Sequence, residues 1–126
     1  MTETNKKILI VEDDKNFLWL LRQSFIGENI SAAFALDGEE GLKVALEEKP
    51  DLILLDILMP RMDGITVAKK LKENGIKSKI IFLTNFKDTE HISEAIEIVE
   101  GTEYIIKSDV HIDEIIARVK KKLGIK

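Results

Sequence analysis

Glu12, Asp13 and Asp56 each stand where a run of strand-forming apolar residues ends. Glu12 and Asp13 close Ile8-Leu9-Ile10-Val11, and Asp56 closes Leu52-Ile53-Leu54-Leu55. In a parallel α/β sheet the carboxyl ends of the strands share one edge, and ligands bind in the crevice outside it. Three carboxylates gathered there repel one another and require a cation or a proton between them. A hard, oxygen-seeking ion such as Mg²⁺ fits, because it takes few protein carboxylates and keeps places for water and phosphate oxygens. The chemistry this implies is phosphoryl transfer to a carboxylate. Thr84 ends a fourth apolar run and Lys107 a fifth, so the same edge also carries a hydroxyl and an ammonium.

The elements that must position these groups alternate along the chain. Strands are expected at Lys7–Val11, Ile30–Ala35, Leu52–Leu55, Ile80–Leu83 and Glu103–Ile106. The first, third and fourth are unbroken apolar runs, as in strands covered on both faces. A first helix follows Asp14 as N-cap, with Phe17, Leu20, Leu21, Ser24 and Phe25 on one face. A second follows Asp37-Gly38 and carries Leu42, Ala45 and Leu46. A third opens at Asp63-Gly64, turns Val67, Ala68 and Leu71 inward and stops at Asn74-Gly75. A fourth opens near Asp88 with Ile92, Ala95, Ile96 and Val99. A fifth presents Ile112, Ile115, Ile116, Val119 and Leu123, with Lys120-Lys121-Lys122 at the negative end of its dipole. Five strands alternating with five helices give an α/β fold, a parallel sheet with helices on both sides. Strand order does not follow from the sequence; 2-1-3-4-5 is a common five-strand solution, and it sets the ends of the first and third strands side by side.

The chain has 126 residues, which suits one domain over residues 1–126 with no second, effector domain. Its formal net charge of −4 argues against direct nucleic-acid binding, which needs a basic patch. It contains no cysteine, so disulfides and thiolate metal sites are excluded. Its apolar runs are too short to span a bilayer and its first residues lack a signal-peptide pattern, so a cytoplasmic protein without membrane association is expected.

Four segments together resemble the response-regulator receiver domain of two-component signalling: Ile8–Asp14, Asp56–Gly64, Leu83-Thr84 and Tyr104–Lys107. The resemblance covers nearly the whole chain. It implies the flavodoxin-like, doubly wound five-stranded sheet in the order 2-1-3-4-5. Asp56 resembles the phosphoacceptor, which takes a phosphoryl group from a sensor histidine kinase, a phosphotransfer domain or a small phosphodonor. Asp13 resembles the main Mg²⁺ ligand, with Asp56, the Leu58 carbonyl and, through water, Glu12. Lys107 resembles the lysine that pairs with Asp56 at rest and with the phosphoryl group afterwards. Thr84 and Tyr104 resemble the switch hydroxyl and switch aromatic. The output implied is altered affinity for a downstream protein, or homodimerisation, through the face of the fourth helix, fifth strand and fifth helix. Catalysis is limited to self-phosphorylation and self-dephosphorylation at Asp56.

Asn85 stands where that family has a small residue, and Ser108 where it has proline. In that family the positions of Leu58 and Phe86 flank the path of a hydrolytic water, so the resemblance with two apolar residues there implies a long-lived phosphorylated form. A degenerate receiver serving as a phosphorylation-independent scaffold is the competing reading; the intact set Glu12, Asp13, Asp56, Thr84 and Lys107 speaks against it. A small Mg²⁺-dependent phosphatase is disfavoured by Leu58, which stands where such enzymes carry a second Asp. An acidic first loop disfavours a flavin carrier. Asp14 and Asp63 read as helix caps, Met59 and Met62 as loop packing, and His91 and His111 as exposed helix starts. Trp19 and Ile26 point away from the first helix's core face, either to pack on a neighbouring helix or to anchor a partner.

Overall fold

The structure is a computed structural model that describes residues 6–84 and 103–125. Five strands form one parallel sheet in the order β2-β1-β3-β4-β5. They are β1 (Lys7–Val11), β2 (Ser31–Ala35), β3 (Leu52–Asp56), β4 (Lys79–Thr84) and β5 (Glu103–Ile106). Helices α1 (Lys15–Gly27), α2 (Gly38–Glu48), α3 (Gly64–Glu73) and a last helix, Ile112–Leu123, flank the sheet. The expected fourth helix lies outside the described residues, as do Asn85, Phe86 and His91.

The unbroken apolar runs divide cleanly between two cores, because alternate side chains of a strand point to opposite faces. Ile8, Ile10, Leu52, Leu54, Ile81, Leu83 and Ile105 join α1 and the last helix on one face. Leu9, Val11, Ile53, Leu55, Ile80 and Phe82 join α2 and α3 on the other. β3, central in the sheet, is buried along its whole length, whereas edge strand β2 buries only Ala35.

Continuing the alternation past each strand end places the site. Ile8, Ile10 and then Glu12 share a face; so do Leu52, Leu54 and Asp56, and Ile105 and Lys107. All three functional side chains therefore emerge on the face covered by α1 and the last helix.

Asp14, Asp37 and Asp63 cap α1, α2 and α3, accepting backbone N–H bonds from Asn16 and Phe17, from Glu40, and from Thr66. The core stripe of α1 differs from the expected one. Leu18, Leu21 and Phe25 are buried, while Leu20 is exposed and Ser24 half-buried. Five consecutive apolar residues, Phe17 to Leu21, leave the facing angle undetermined in sequence, and docking on the sheet selects Leu18. On α2, Ala45 is buried and Leu42 half-buried as expected, but Leu46 is exposed, and Gly38 and Gly41 are buried because the helix start approaches Met62 and Val11 of β1 closely. α3 and the last helix bury the expected faces, with Ile112 half-buried. Trp19 and Ile26 are both more than half exposed. Lys120 and Lys122 are paired with Glu28 and Glu103, tying the last helix to the end of α1 and to β5.

Candidate phosphoryl-transfer site

Glu12, Asp13 and Asp56 each offer one carboxylate oxygen, and the three oxygens lie within 4.8 Å of one another. β1 and β3 are neighbours in the sheet, with Val11 opposite Leu55 in register, so the residues that follow are brought together. Glu12 is fully buried, Asp56 nearly so, and Asp13 faces solvent. Two buried anions side by side are unfavourable without compensation. The compensation comes from Lys107, whose Nζ lies 2.7 Å from Glu12 Oε1 and 3.1 Å from Asp56 Oδ2. The other Glu12 oxygen, Oε2, accepts the backbone N–H of Asp14 at 3.0 Å.

These surroundings set the protonation of the site. Burial pushes the Asp56 carboxyl up and the neighbouring Glu12 charge pushes it further; Lys107 offsets only part, and the pKa rises from 3.8 to about 8. Burial alone would lower the Lys107 ammonium, but its bond to Glu12 and the charges of Asp56 and Glu12 outweigh that, and it is held above its ordinary value.

Gly64 fixes the backbone of Asp56. Its N–H donates to the Ile57 carbonyl at 2.7 Å, and a Cβ at this position would lie 2.2 Å from the Asp56 carbonyl oxygen. No side chain larger than hydrogen fits there, so the start of α3 is pressed directly against the end of β3.

Thr84 is fully buried at the end of β4. Tyr104 pairs in register with Phe82, so it shares the sheet face of Phe82 and Thr84, and it is 40% exposed, turned to solvent. Leu58, two residues after Asp56, is also exposed. The Lys107-Ser108 peptide is trans, and the chain continues into a 3₁₀ turn over Lys107–Asp109. His111 is an exposed N-cap residue and Met59 and Met62 pack on the α2–α3 core, as the sequence suggests. Sequence reasoning missed the Lys107–Glu12 pair, the close approach of Gly64, and the Arg61–Asp37 pair at 3.1 Å linking two loops beside the site. The Asp-Gly step at Asp63-Gly64 was the only available signal for the second.

The chain matches the family model of the response regulator receiver domain over residues 8–120, and it belongs to that family. It is 36% identical over 122 residues to sporulation initiation phosphotransferase F of Bacillus subtilis strain 168, covering 97% of each chain. It is 44% identical over 86 residues to alkaline phosphatase synthesis transcriptional regulatory protein PhoP of the same organism, covering 68% of this chain and 35% of that one. The chain spans half or less of the length of the transcriptional regulators PhoP and DltR that it matches. A CheY-like receiver domain protein from Methanospirillum hungatei superposes with a TM-score of 0.87 at 28% identity, covering 96% of this chain and 95% of that one. Receiver domains are signalling switches rather than classical enzymes, and they bind Mg²⁺ in an acidic pocket such as the one formed by Glu12, Asp13 and Asp56. Among the described residues no helix is long and apolar enough to cross a membrane.

Proposed function

We propose that this chain is a phosphoryl-accepting switch in which Asp56 takes a phosphoryl group from a histidine kinase, a phosphotransfer protein or a small phosphodonor. The observation that carries this reading is a buried carboxylate at the end of a central strand, paired with an ammonium at 3.1 Å inside a three-carboxylate cluster. Asp56 Oδ attacks phosphorus, and the bond from phosphorus to the donor's imidazole nitrogen or carboxylate oxygen breaks. The leaving group keeps the electron pair, and an aspartyl phosphate remains.

The donor set fits a hard divalent cation: all three ligands are oxygens, and exposed Asp13 leaves one side open to water and phosphate. Asp13, Asp56 and the Leu58 carbonyl would hold Mg²⁺, with Glu12 acting through water. When bound, the ion neutralises charge on the phosphoryl oxygens. Lys107 would supply a second positive charge, its ammonium already beside Asp56 before transfer. Glu12 keeps Lys107 there by holding it 2.7 Å away. Thr84 then hydrogen-bonds the phosphoryl group and Tyr104, exposed at rest, turns inward, reshaping the adjoining surface for a protein partner or for a second copy. The likeness to a protein named a phosphotransferase supports phosphoryl receipt as the central event. Incubation with Mg²⁺ and acetyl phosphate, followed by intact mass measurement, should show one phosphoryl adduct in wild type and none in Asp56→Asn. An unlabelled wild type would refute this reading in favour of a phosphorylation-independent scaffold.

A further inference from the structure

We propose that Phe17 is a positioning residue for phosphoryl transfer, its ring forming the third wall that confines the Lys107 ammonium between Glu12 and Asp56. The inference rests on the reading of Asp56 as phosphoacceptor. Lys107 Nζ lies 5.4 Å from the centroid of the Phe17 ring, within the range where an aromatic face attracts a cation. The Lys107 side chain is only 18% exposed, so this attraction is weakly screened. The ammonium thus has a carboxylate on each of two sides and an aromatic face beside it.

The local structure explains why an aromatic residue can occupy this place. Phe17 is the third residue of α1 after the cap Asp14, the position where a Glu or Gln side chain ordinarily reaches back to the cap's own backbone N–H. Here Glu12 Oε2 takes that N–H instead. The third helical position is released from capping, while Asp14 Oδ1 accepts the Phe17 N–H and fixes its backbone. Contacts then close into a ring: Glu12 holds Asp14, Asp14 holds Phe17, Phe17 faces Lys107, and Lys107 returns to Glu12.

An ammonium confined in this way meets charge developing on the phosphoryl oxygens without first shedding water or changing rotamer. Removing the aromatic face loosens the ammonium but leaves the acidic pocket that receives Mg²⁺ and the donor untouched. The effect therefore falls on the maximal rate rather than on donor binding.

The test compares wild type, Phe17→Leu and Phe17→Tyr. Intact mass time courses are recorded over a series of acetyl phosphate concentrations with Mg²⁺, alongside NMR of the Lys107 side-chain methylene protons. Leucine keeps apolar cover without a π-face, whereas tyrosine keeps the face. Phe17→Leu should lower the maximal labelling rate by about 3–10-fold with unchanged half-saturating donor, and should abolish an upfield ring-current shift at Lys107. Phe17→Tyr should retain that shift and label within about twofold of wild type. Equal rates for Phe17→Leu and wild type, or equal losses in both variants, would overturn the role of the ring. Failure of wild type to label at all would instead remove the underlying reading of Asp56, a distinct result.

Discussion

At the scale of single residues, the site is a balance between burial and charge that Lys107 only partly settles. Asp56 is raised from 3.8 to about 8 by burial first and the Glu12 charge second. In the unfolded chain its pKa returns to about 3.9. Folding therefore favours the protonated carboxyl. That contribution is complete below about pH 4 and is lost as pH rises through about 8. Metal-free protein should accordingly lose stability from pH 5 to pH 8, and Asp56→Asn, which keeps the shape without the charge, should remove most of that slope. At pH 8 the variant should melt several degrees higher than wild type, since about 1 kcal/mol moves Tm by roughly 3–6 °C in a domain of this size. Thermal unfolding in EDTA across this range checks both statements, and parallel slopes would show that another group carries the dependence. Mg²⁺ competes with the proton at this site, so its addition should raise Tm more at pH 8 than at pH 5.

At the scale of elements, what the sequence revealed and what it hid have separate physical causes. β1, β3 and β4 were legible because strands covered on both faces must be continuously apolar, and α3 and the last helix because their apolar residues recur at helical spacing between clear caps. The α1 face was not, since five apolar residues in succession carry no phase. The carboxylates and Lys107 were legible as strand ends, whereas the Phe17–Lys107 contact joins residues 90 positions apart and has no local signature. Gly64 lies between these cases: Asp63-Gly64 marks a helix start, yet the reason for glycine is the Asp56 carbonyl 2.2 Å from where a Cβ would stand. Gly64→Ala must push α3 away from β3 or twist the Asp56 backbone. We expect a loss of about 1–3 kcal/mol, as for other overpacked positions, read from the midpoint of urea unfolding. Labelling of Asp56 should slow as well, because the carboxylate is displaced from Lys107. A variant that is less stable but labels normally would mean that the strain is absorbed entirely by α3.

At the scale of the whole molecule, the fold gathers acidic residues at one end of the sheet. The strand carboxyl ends and the helix N-termini point the same way, and acids gather there: Glu12, Asp13 and Asp56 in the pocket, capping Asp14, Asp37 and Asp63, and first-turn Glu39, Glu40, Asp113 and Glu114. The opposite end is mixed: Lys70 and Lys72 in the last turn of α3, Lys120, Lys121 and Lys122 in that of the last helix, and Lys7 and Lys79 at strand starts stand among Glu28, Glu47, Glu48, Asp51, Glu73 and Glu103. The capping and first-turn acids suit the positive helix N-termini, and the last-turn lysines of α3 and the last helix suit the negative C-termini. The acids at the strand carboxyl ends place a negative field at the mouth through which any phosphodonor must pass, on a chain whose net charge is already −4. Acetyl phosphate is an anion and is repelled on approach, whereas salt screens that repulsion, the Debye length falling from about 30 Å at 0.01 M to about 8 Å at 0.15 M. Labelling by acetyl phosphate at fixed free Mg²⁺ should therefore accelerate as ionic strength rises over that range. Glu39→Gln should flatten the dependence, because it removes one exposed first-turn acid from the rim without touching the pocket. A rate that falls with salt would mean that Lys107 and the bound cation outweigh the surrounding acids, making the mouth attractive to anions and reversing the sign of this argument.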